Sequence, residues 1–290
     1  MCYQRPMSEP SRASFRHALA AGALAALVVG SAGFALGRCT ASPRAQAPDR
    51  SAAPIVALPP PALPTPTPPL GRGDLLAAAR AAVSAYAASG PLPAGVAELV
   101  GRRFELRLPF GCDGPETADT EQGWRYDPDR GTLRVRAVPA HLDPAVWRPG
   151  EESGVDAIEA FWIARPWTDS EVCPAAGPGA PATATDRTLA IAQFHRADDP
   201  RAVRGEGDGF EAVLRVPPEA LDLSRGLRLR LTGRIALVPG AAGPVLCRAP
   251  TPAERPVCLL AVSLDHVAVE SPSVGAPLAT WDVAAPRAGS

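Results

Sequence analysis

Residues 103–110 read RFELRLPF, in which apolar and polar side chains alternate from Arg103 to Leu108. A two-residue period places successive side chains on opposite faces of a β-strand, so this stretch predicts a strand with one buried and one hydrated face. Three more stretches show the same alternation and predict strands of the same kind. They are LRVRA (133–137), FEAVLRV (210–216) and LRLRL (227–231).

Two further stretches are more continuously apolar: IEAFWIAR (158–165) and CLLAVSLDHVAV (258–269). Strands that are covered on both faces have this composition, so both stretches predict central strands of a sheet. Residues 126–132 (YDPDRGT) place proline, aspartate and glycine between two strands and predict a β-hairpin. We expect about eight to ten strands, mostly antiparallel.

Helix-forming residues dominate positions 74–86, and Gly90–Pro91 ends this segment, so it predicts a helix ahead of the strands. A second short helix is predicted from Ala94 to Val100. The expected fold of residues 72–290 is mainly β (α+β): an antiparallel β-sandwich or partly open barrel with one or two N-terminal helices. The low-complexity segment 174–187 marks a possible boundary between two subdomains.

An uncharged stretch of 20 residues, 18–37, follows three arginines in the N-terminal segment 1–17. A helix rises about 1.5 Å per residue, so this stretch matches the roughly 30 Å hydrocarbon core of a bilayer. We expect residues 18–37 to form an uncleaved transmembrane signal-anchor helix, with residues 1–17 in the cytoplasm. The alternatives are a signal peptide cleaved near Ala47 and a lipoprotein signal ending at Cys39.

Residues 38–71 form a predicted linker, because ten prolines lie between positions 43 and 69. Proline lacks a backbone N–H and has a fixed φ, so this segment favours extended polyproline II structure over helix or sheet. Such a linker separates the C-terminal domain from the bilayer. The expected location is the bacterial inner membrane, with a single span and the C-terminal domain in the periplasm.

Four of the six cysteines lie in the domain that we expect to be exported: Cys112, Cys173, Cys247 and Cys258. An even number of cysteines in an oxidising compartment predicts disulfide bonds. Proximity in sequence favours Cys247 with Cys258, which leaves Cys112 with Cys173. The alternative is a reactive Cys112 thiolate, but the charge of adjacent Asp113 opposes ionisation of that thiol.

Arginine supplies all 29 Lys-plus-Arg positions of the chain, whose net formal charge is −1. Residues 72–290 carry 23 arginines and 28 acidic residues, a net charge of −5, which argues against nucleic-acid binding. Several arginines share the polar positions of the predicted strands and would form an anion-binding face if those strands are neighbours. The alternative is a hydrated face neutralised by Glu105 and Glu211. These arginines are Arg103, Arg107, Arg134, Arg136, Arg215, Arg228 and Arg230.

The four histidines form no HExxH motif and no pair at metal-ligand spacing, and the expected exported domain contains no G-x-S-x-G motif. We therefore assign no catalytic, cofactor-binding or metal-binding residue and no cofactor. The expected function is a membrane-anchored binding or scaffolding module for an envelope protein or polymer. The alternative is a membrane-anchored periplasmic hydrolase with a dispersed site, in which His195 or His266 contacts a carboxylate. The sequence leaves the oligomeric state open.

Overall fold

The structure, a computed structural model, describes residues 67–116, 121–147, 154–174, 187–196, 208–251, 253–274 and 276–283. The predicted cytoplasmic segment, the predicted anchor helix and the linker up to residue 66 lie outside these ranges. Within the described ranges, no helix has the length and apolar character needed to span a membrane. The described residues all belong to one compact unit.

Three α-helices occur in the described residues: α1 (Arg72–Ala87), α2 (Ala94–Ala97) and α3 (Pro144–Trp147). Helix α1 is the predicted N-terminal helix, and Asp74 caps it by accepting a hydrogen bond from the Gly71 N–H at 2.9 Å. Helix α2 is shorter than expected. The chain leaves the helical path at Gly101, whose φ is +84°, and continues directly into the first strand.

Eleven β-strands occur in the described residues, and they form two sheets, so the prediction of a mainly β domain with few helices is confirmed. The larger sheet has the order β1-β8-β10-β6-β5-β4, and β9 and β11 also pair with β10. The smaller sheet has the order β2-β3-β7. The bounds are β1 Arg103–Phe110, β2 Gln122–Asp127, β3 Thr132–Ala137, β4 Ala140–Leu142, β5 Val155–Trp162, β6 Leu189–Arg196, β7 Phe210–Arg215, β8 Leu227–Ile235, β9 Val245–Arg248, β10 Val257–Glu270 and β11 Pro277–Asp282.

Strand β10 is the central strand of the larger sheet, as its apolar composition predicted. Its first part pairs with β9 and, in parallel, with β6, and its second part pairs with β8 and β11. A β-bulge between Leu264 and His266 shifts the register against β8, and an extra residue reverses which side chains face the core. Thus Leu264 packs in the core, and so does Val267.

The bulge also places His266 on the exposed face of the strand. Strict alternation along the strand would put His266 on the same face as Leu260, Val262 and Leu264. The bulge moves it to the other face, and alternation alone does not reveal where an extra residue enters a strand.

One hydrophobic cluster joins both sheets and α1. It contains Leu75 of α1, Leu229 of the larger sheet and Val135 of the smaller sheet, each fully buried. Phe210 extends this cluster through ring contacts with Phe161 and Trp281, at centroid distances of 6.2 and 5.5 Å. The shared core holds the smaller sheet against the larger one.

Strands β5 and β6 flank the low-complexity segment 174–187, of which residues 175–186 lie outside the described ranges. These two strands pair antiparallel, with Phe161 opposite Ile191. The chain therefore leaves the sheet after β5 and returns to the neighbouring position.

Candidate binding cleft

Three of the predicted face arginines surround one carboxylate on the outer face of the larger sheet. The sheet register places Arg107 opposite Arg230, and Arg228 opposite Glu270. Glu270 is 8 % exposed. One of its oxygens, Oε2, lies 3.0 Å from Arg107 Nε and 3.7 Å from Arg228 Nη2, and the other, Oε1, lies 3.2 Å from Arg230 Nε.

Arg107 is the most fully paired of these arginines. It also contacts Glu105, at 2.6 Å, and Glu171, at 3.8 Å. Burial alone would lower the pKa of Arg107, but its hydrogen bond to Glu270 and the charges of Glu270 and Glu105 outweigh burial and raise that pKa. The Arg107 guanidinium is therefore held as a charged group by carboxylates of its own chain.

Arg72, in the first turn of α1, fixes the segment that follows β5. Its Nε donates to the carbonyl of Thr168 at 2.9 Å, and its Nη2 donates to the carbonyls of Ala164 and Arg165 at 2.7 and 3.1 Å. Arg72 is only 3 % exposed, and burial lowers its pKa. Its Nη1 has no hydrogen-bond partner among the described residues. One buried cation thus ties the start of the helix to residues 164–168.

A disulfide fixes the other end of this segment. Cys173 is bonded to Cys112, which follows the end of β1. The bond packs against Gly226, which has a φ of +60°, and a Cβ atom there would lie 2.7 Å from Cys173 Sγ and 2.6 Å from the Phe110 carbonyl oxygen. Only glycine fits this position without strain.

The N–H groups along the outer edge of β1 form hydrogen bonds where the linker and the segment after β5 approach the strand. Leu70 accepts from the Glu105 N–H at 2.9 Å and donates to the Arg103 carbonyl at 2.8 Å. The Arg107 N–H donates to Glu171 Oε1 at 3.2 Å, and Pro109 has no N–H. An edge protected in this way is a poor template for adding another strand.

An open cleft of about 580 Å³ lies along this edge. Its walls are the end of the linker and the first turn of α1 (residues 69–73) on one side, and Asp169, Glu171 and Val172 on the other. Its floor carries Glu105, Arg107 and Arg228. Sites for small ligands typically have volumes of about 300–1,000 Å³.

Arg228 is a cleft cation with a loosely paired, partly exposed side chain. Its contact with Glu270 spans 3.7 Å and its side chain is 23 % exposed, whereas its Nε is buried and has no hydrogen-bond partner among the described residues. Asp169 also lines the cleft and is exposed, and it lies beside the first turn of α1, where an added Cβ on Gly73 would lie 3.7 Å from its Cγ. The cleft lining therefore includes both a partly exposed cation and an exposed carboxylate.

The remaining predicted arginines lie elsewhere. Arg103 is at the far end of β1, opposite Arg234. Arg134 and Arg136 belong to β3 of the smaller sheet, where Arg136 pairs with Glu211 at 2.8 Å, and Arg215 ends β7 of the same sheet. The structure thus brings Arg107, Arg228 and Arg230 together and leaves the others in separate places. Anion binding by these arginines stays a prediction.

Both predicted disulfides are confirmed: Cys112–Cys173 and Cys247–Cys258. Cys258 lies directly opposite Cys247 in the β9–β10 pair. Since Cys112 is bonded to Cys173, it is not the free thiol that a cysteine nucleophile requires. Disulfide bonds of this kind are typical of an oxidising compartment outside the cytoplasm.

His195 forms the only close histidine–carboxylate contact among the ion pairs of the described residues. Its Nε2 lies 3.4 Å from Glu159 Oε2, and the two residues are 2 % and 6 % exposed. Neighbouring Gln193 accepts a hydrogen bond from the Leu264 N–H at 2.9 Å, at the point where β10 passes from β6 to β11. His195 does not line the cleft along β1.

Sequence reasoning missed Arg72, Asp169, Glu171 and Glu270. Of these, Glu270 had a usable signal, because an acidic residue directly follows the apolar run 267–269. Asp169 and Glu171 belong to an irregular segment and Arg72 begins α1, and the tertiary fold determines the partners of all three. Comparison of the chain with models of known protein families, with curated proteins and with solved structures finds no match.

Proposed function

We propose that the protein is a membrane-anchored binding or scaffolding module, whose periplasmic β-rich domain contacts an envelope protein or polymer through the cleft along β1. The anchor is the segment 18–37, and the proline-rich linker connects it to the domain. The observation that carries the proposal is the preformed cleft itself. Its walls are fixed by the Arg72 hydrogen bonds and by the Cys112–Cys173 disulfide before any partner arrives.

Preformed walls favour binding, because none of the binding free energy is lost in ordering them. The position of the cleft also supports this role. Residues Pro69 to Gly71, the end of the linker, form part of its wall, so a partner held there lies next to the point where the linker joins the domain. Such an arrangement suits a protein that connects the membrane to another envelope component.

A second candidate function is a periplasmic hydrolase, and the buried pair of His195 and Glu159 favours it. A carboxylate that orients a histidine is one part of a nucleophilic site. The pair lies away from the cleft, however, and all four cysteines of the domain are in disulfides. If purified protein hydrolyses an envelope substrate and His195→Ala abolishes this activity, the hydrolase replaces the binding module.

Site-specific photo-crosslinking in intact cells tests the binding module. A photoreactive amino acid at Val172, in the cleft wall, is expected to give a discrete crosslinked product that Arg228→Gln weakens. The matched control is Val213, which is 60 % exposed on the smaller sheet and lies outside the cleft. Equal products at both positions, or no product at Val172, would contradict the proposal.

A further inference from the structure

The charges that line the cleft are mixed. Arg107 and Arg228 lie on the floor, and Glu105, Asp169 and Glu171 lie around them. Arg72 also borders the cleft, but its Nε and Nη2 are bound to backbone carbonyls. A ligand with several negative charges would meet three carboxylates, and a ligand with several positive charges would meet the three guanidinium groups of Arg72, Arg107 and Arg228. Like charges at close range oppose binding, so neither kind of ligand fits.

A ligand with one charge of each sign does fit. We propose that the cleft binds a peptide-like zwitterion, with its carboxylate on Arg228 and its ammonium on Asp169 and Glu171. This inference rests on the proposed binding function and names the chemical group that the partner inserts. Guanidinium–carboxylate contacts are strong because both partners are charged and the guanidinium presents several N–H donors.

Arg228, rather than Arg107, receives the carboxylate. Arg107 already contacts Glu105, Glu171 and Glu270, whereas the ion pairs of the described residues give Arg228 one distant contact, with Glu270. On the other wall, Glu171 accepts from the Arg107 N–H, and exposed Asp169 is accessible to a ligand's ammonium. Leu70 and Val172 add apolar surface to the same lining, which suits the small apolar body of a short peptide.

Calorimetric titration of the purified full chain with three forms of trialanine tests the inference. The uncapped peptide carries both charges, the N-acetylated form lacks the ammonium, and the C-amidated form lacks the carboxylate. Loss of either charged contact is expected to weaken binding about tenfold or more. Equal affinity for the three forms, tighter binding of the acetylated form, or no binding of the uncapped form would each overturn the inference.

Substitutions identify which residue binds the carboxylate of the peptide and which binds its ammonium group. In Arg228→Gln, amidation of the peptide is expected to make no further difference to affinity. In Asp169→Asn, acetylation is expected to matter less than in the unaltered protein, because one of the two carboxylates that bind the ammonium has lost its charge. The controls are Arg234→Gln, at the other end of β8, and Asp129→Asn, in the β2–β3 turn, which are expected to bind all three peptides as the unaltered protein does. Asp169 is exposed, so its variant keeps the test valid if Arg228→Gln fails to fold.

The two experiments can disprove the proposed function and the zwitterion inference independently of each other. If the peptides do not bind but Val172 still gives its Arg228-dependent crosslink, the zwitterion is wrong and the binding module stands. If both experiments are negative, both proposals are wrong.

Discussion

Glu270 Oε2 lies 3.0 Å from Arg107 Nε although their strands, β10 and β1, are not neighbours in the sheet. Strand β8 separates them and contributes Arg228 and Arg230 to the same carboxylate. Adjacent strands lie about 4.8 Å apart, so the two long side chains meet above the middle strand. The carboxylate thereby holds three arginines together that would otherwise repel one another.

Removing this carboxylate charge is expected to destabilise the domain. Glu270→Gln leaves three guanidinium groups close together around a largely buried position, and we expect a loss of about 2–3 kcal/mol in the free energy of unfolding. Urea denaturation of the purified protein, followed by tryptophan fluorescence, measures the loss. The control is Glu211→Gln, which breaks the more exposed pair with Arg136 and is expected to cost about 1 kcal/mol or less. Equal losses in the two variants would contradict the role of Glu270.

Gly233 of β8, next to the bulge in β10, is expected not to tolerate a side chain. A Cβ atom at Gly233 would lie 2.1 Å from the Ser263 carbonyl oxygen, which belongs to the backbone and cannot rotate away. Gly233→Ala is therefore expected to destabilise the protein by about 2 kcal/mol or more, as overpacked positions do. Gly95→Ala in α2 meets no atom within 4 Å and is expected to leave stability unchanged or slightly raised. Thermal unfolding of both variants checks this contrast.

The two disulfides are expected to contribute unequally. Cys112–Cys173 closes a span of 61 residues and Cys247–Cys258 closes one of 11. In the loop-entropy description, a longer loop loses more freedom in the unfolded chain, which gives about 4 kcal/mol for the first bond and about 3 kcal/mol for the second. Replacing each pair with alanine and comparing urea midpoints measures the difference. A larger loss from the Cys247–Cys258 pair would show that strain or residual structure outweighs loop length.

The anchor assignment has its own test. Residues 18–37 exceed the roughly 7–15 apolar residues of a signal-peptide core, so we expect the chain to remain in the membrane after export. Cell fractionation and mass spectrometry of the mature protein measure this directly. A soluble species that begins near Pro48 would show that the segment is a cleaved signal, and a lipid-modified Cys39 would show the third alternative.

The sequence predicted best those strands that are buried on one face only. Strands β1, β3, β7 and β8 were recognisable because their alternation is regular. Strand β6 was missed: residues 189–196 (LAIAQFHR) are nearly all buried, since β6 lies between β5 and β10, so no alternation marks them. The short strands β4 and β9 have too few residues for a period to appear.

The candidate site was predicted only in part, because its members come from distant segments. The polar positions of β1 and β8 indicated Arg107, Arg228 and Arg230, but which strands are neighbours follows from the sheet order. That order separates them from Arg134 and Arg136 of the smaller sheet. Asp169 and Glu171 lie after β5 in a segment without regular structure, so only the disulfide and the Arg72 contacts reveal that they face β1.

Leu70 forms a parallel bridge with Phe104, through two hydrogen bonds to β1, immediately before α1 begins. If the chain is anchored at its N-terminus and a partner holds the domain, tension along the linker reaches the folded structure first at the Pro68 carbonyl, which accepts from Arg102 Nη2 at 3.4 Å, and then at these two bonds. The next groups to carry the load are Arg72 and the carbonyls that it binds, which form the wall of the cleft. A mechanical pull would therefore act on the cleft that binds the partner before it strains the central strands.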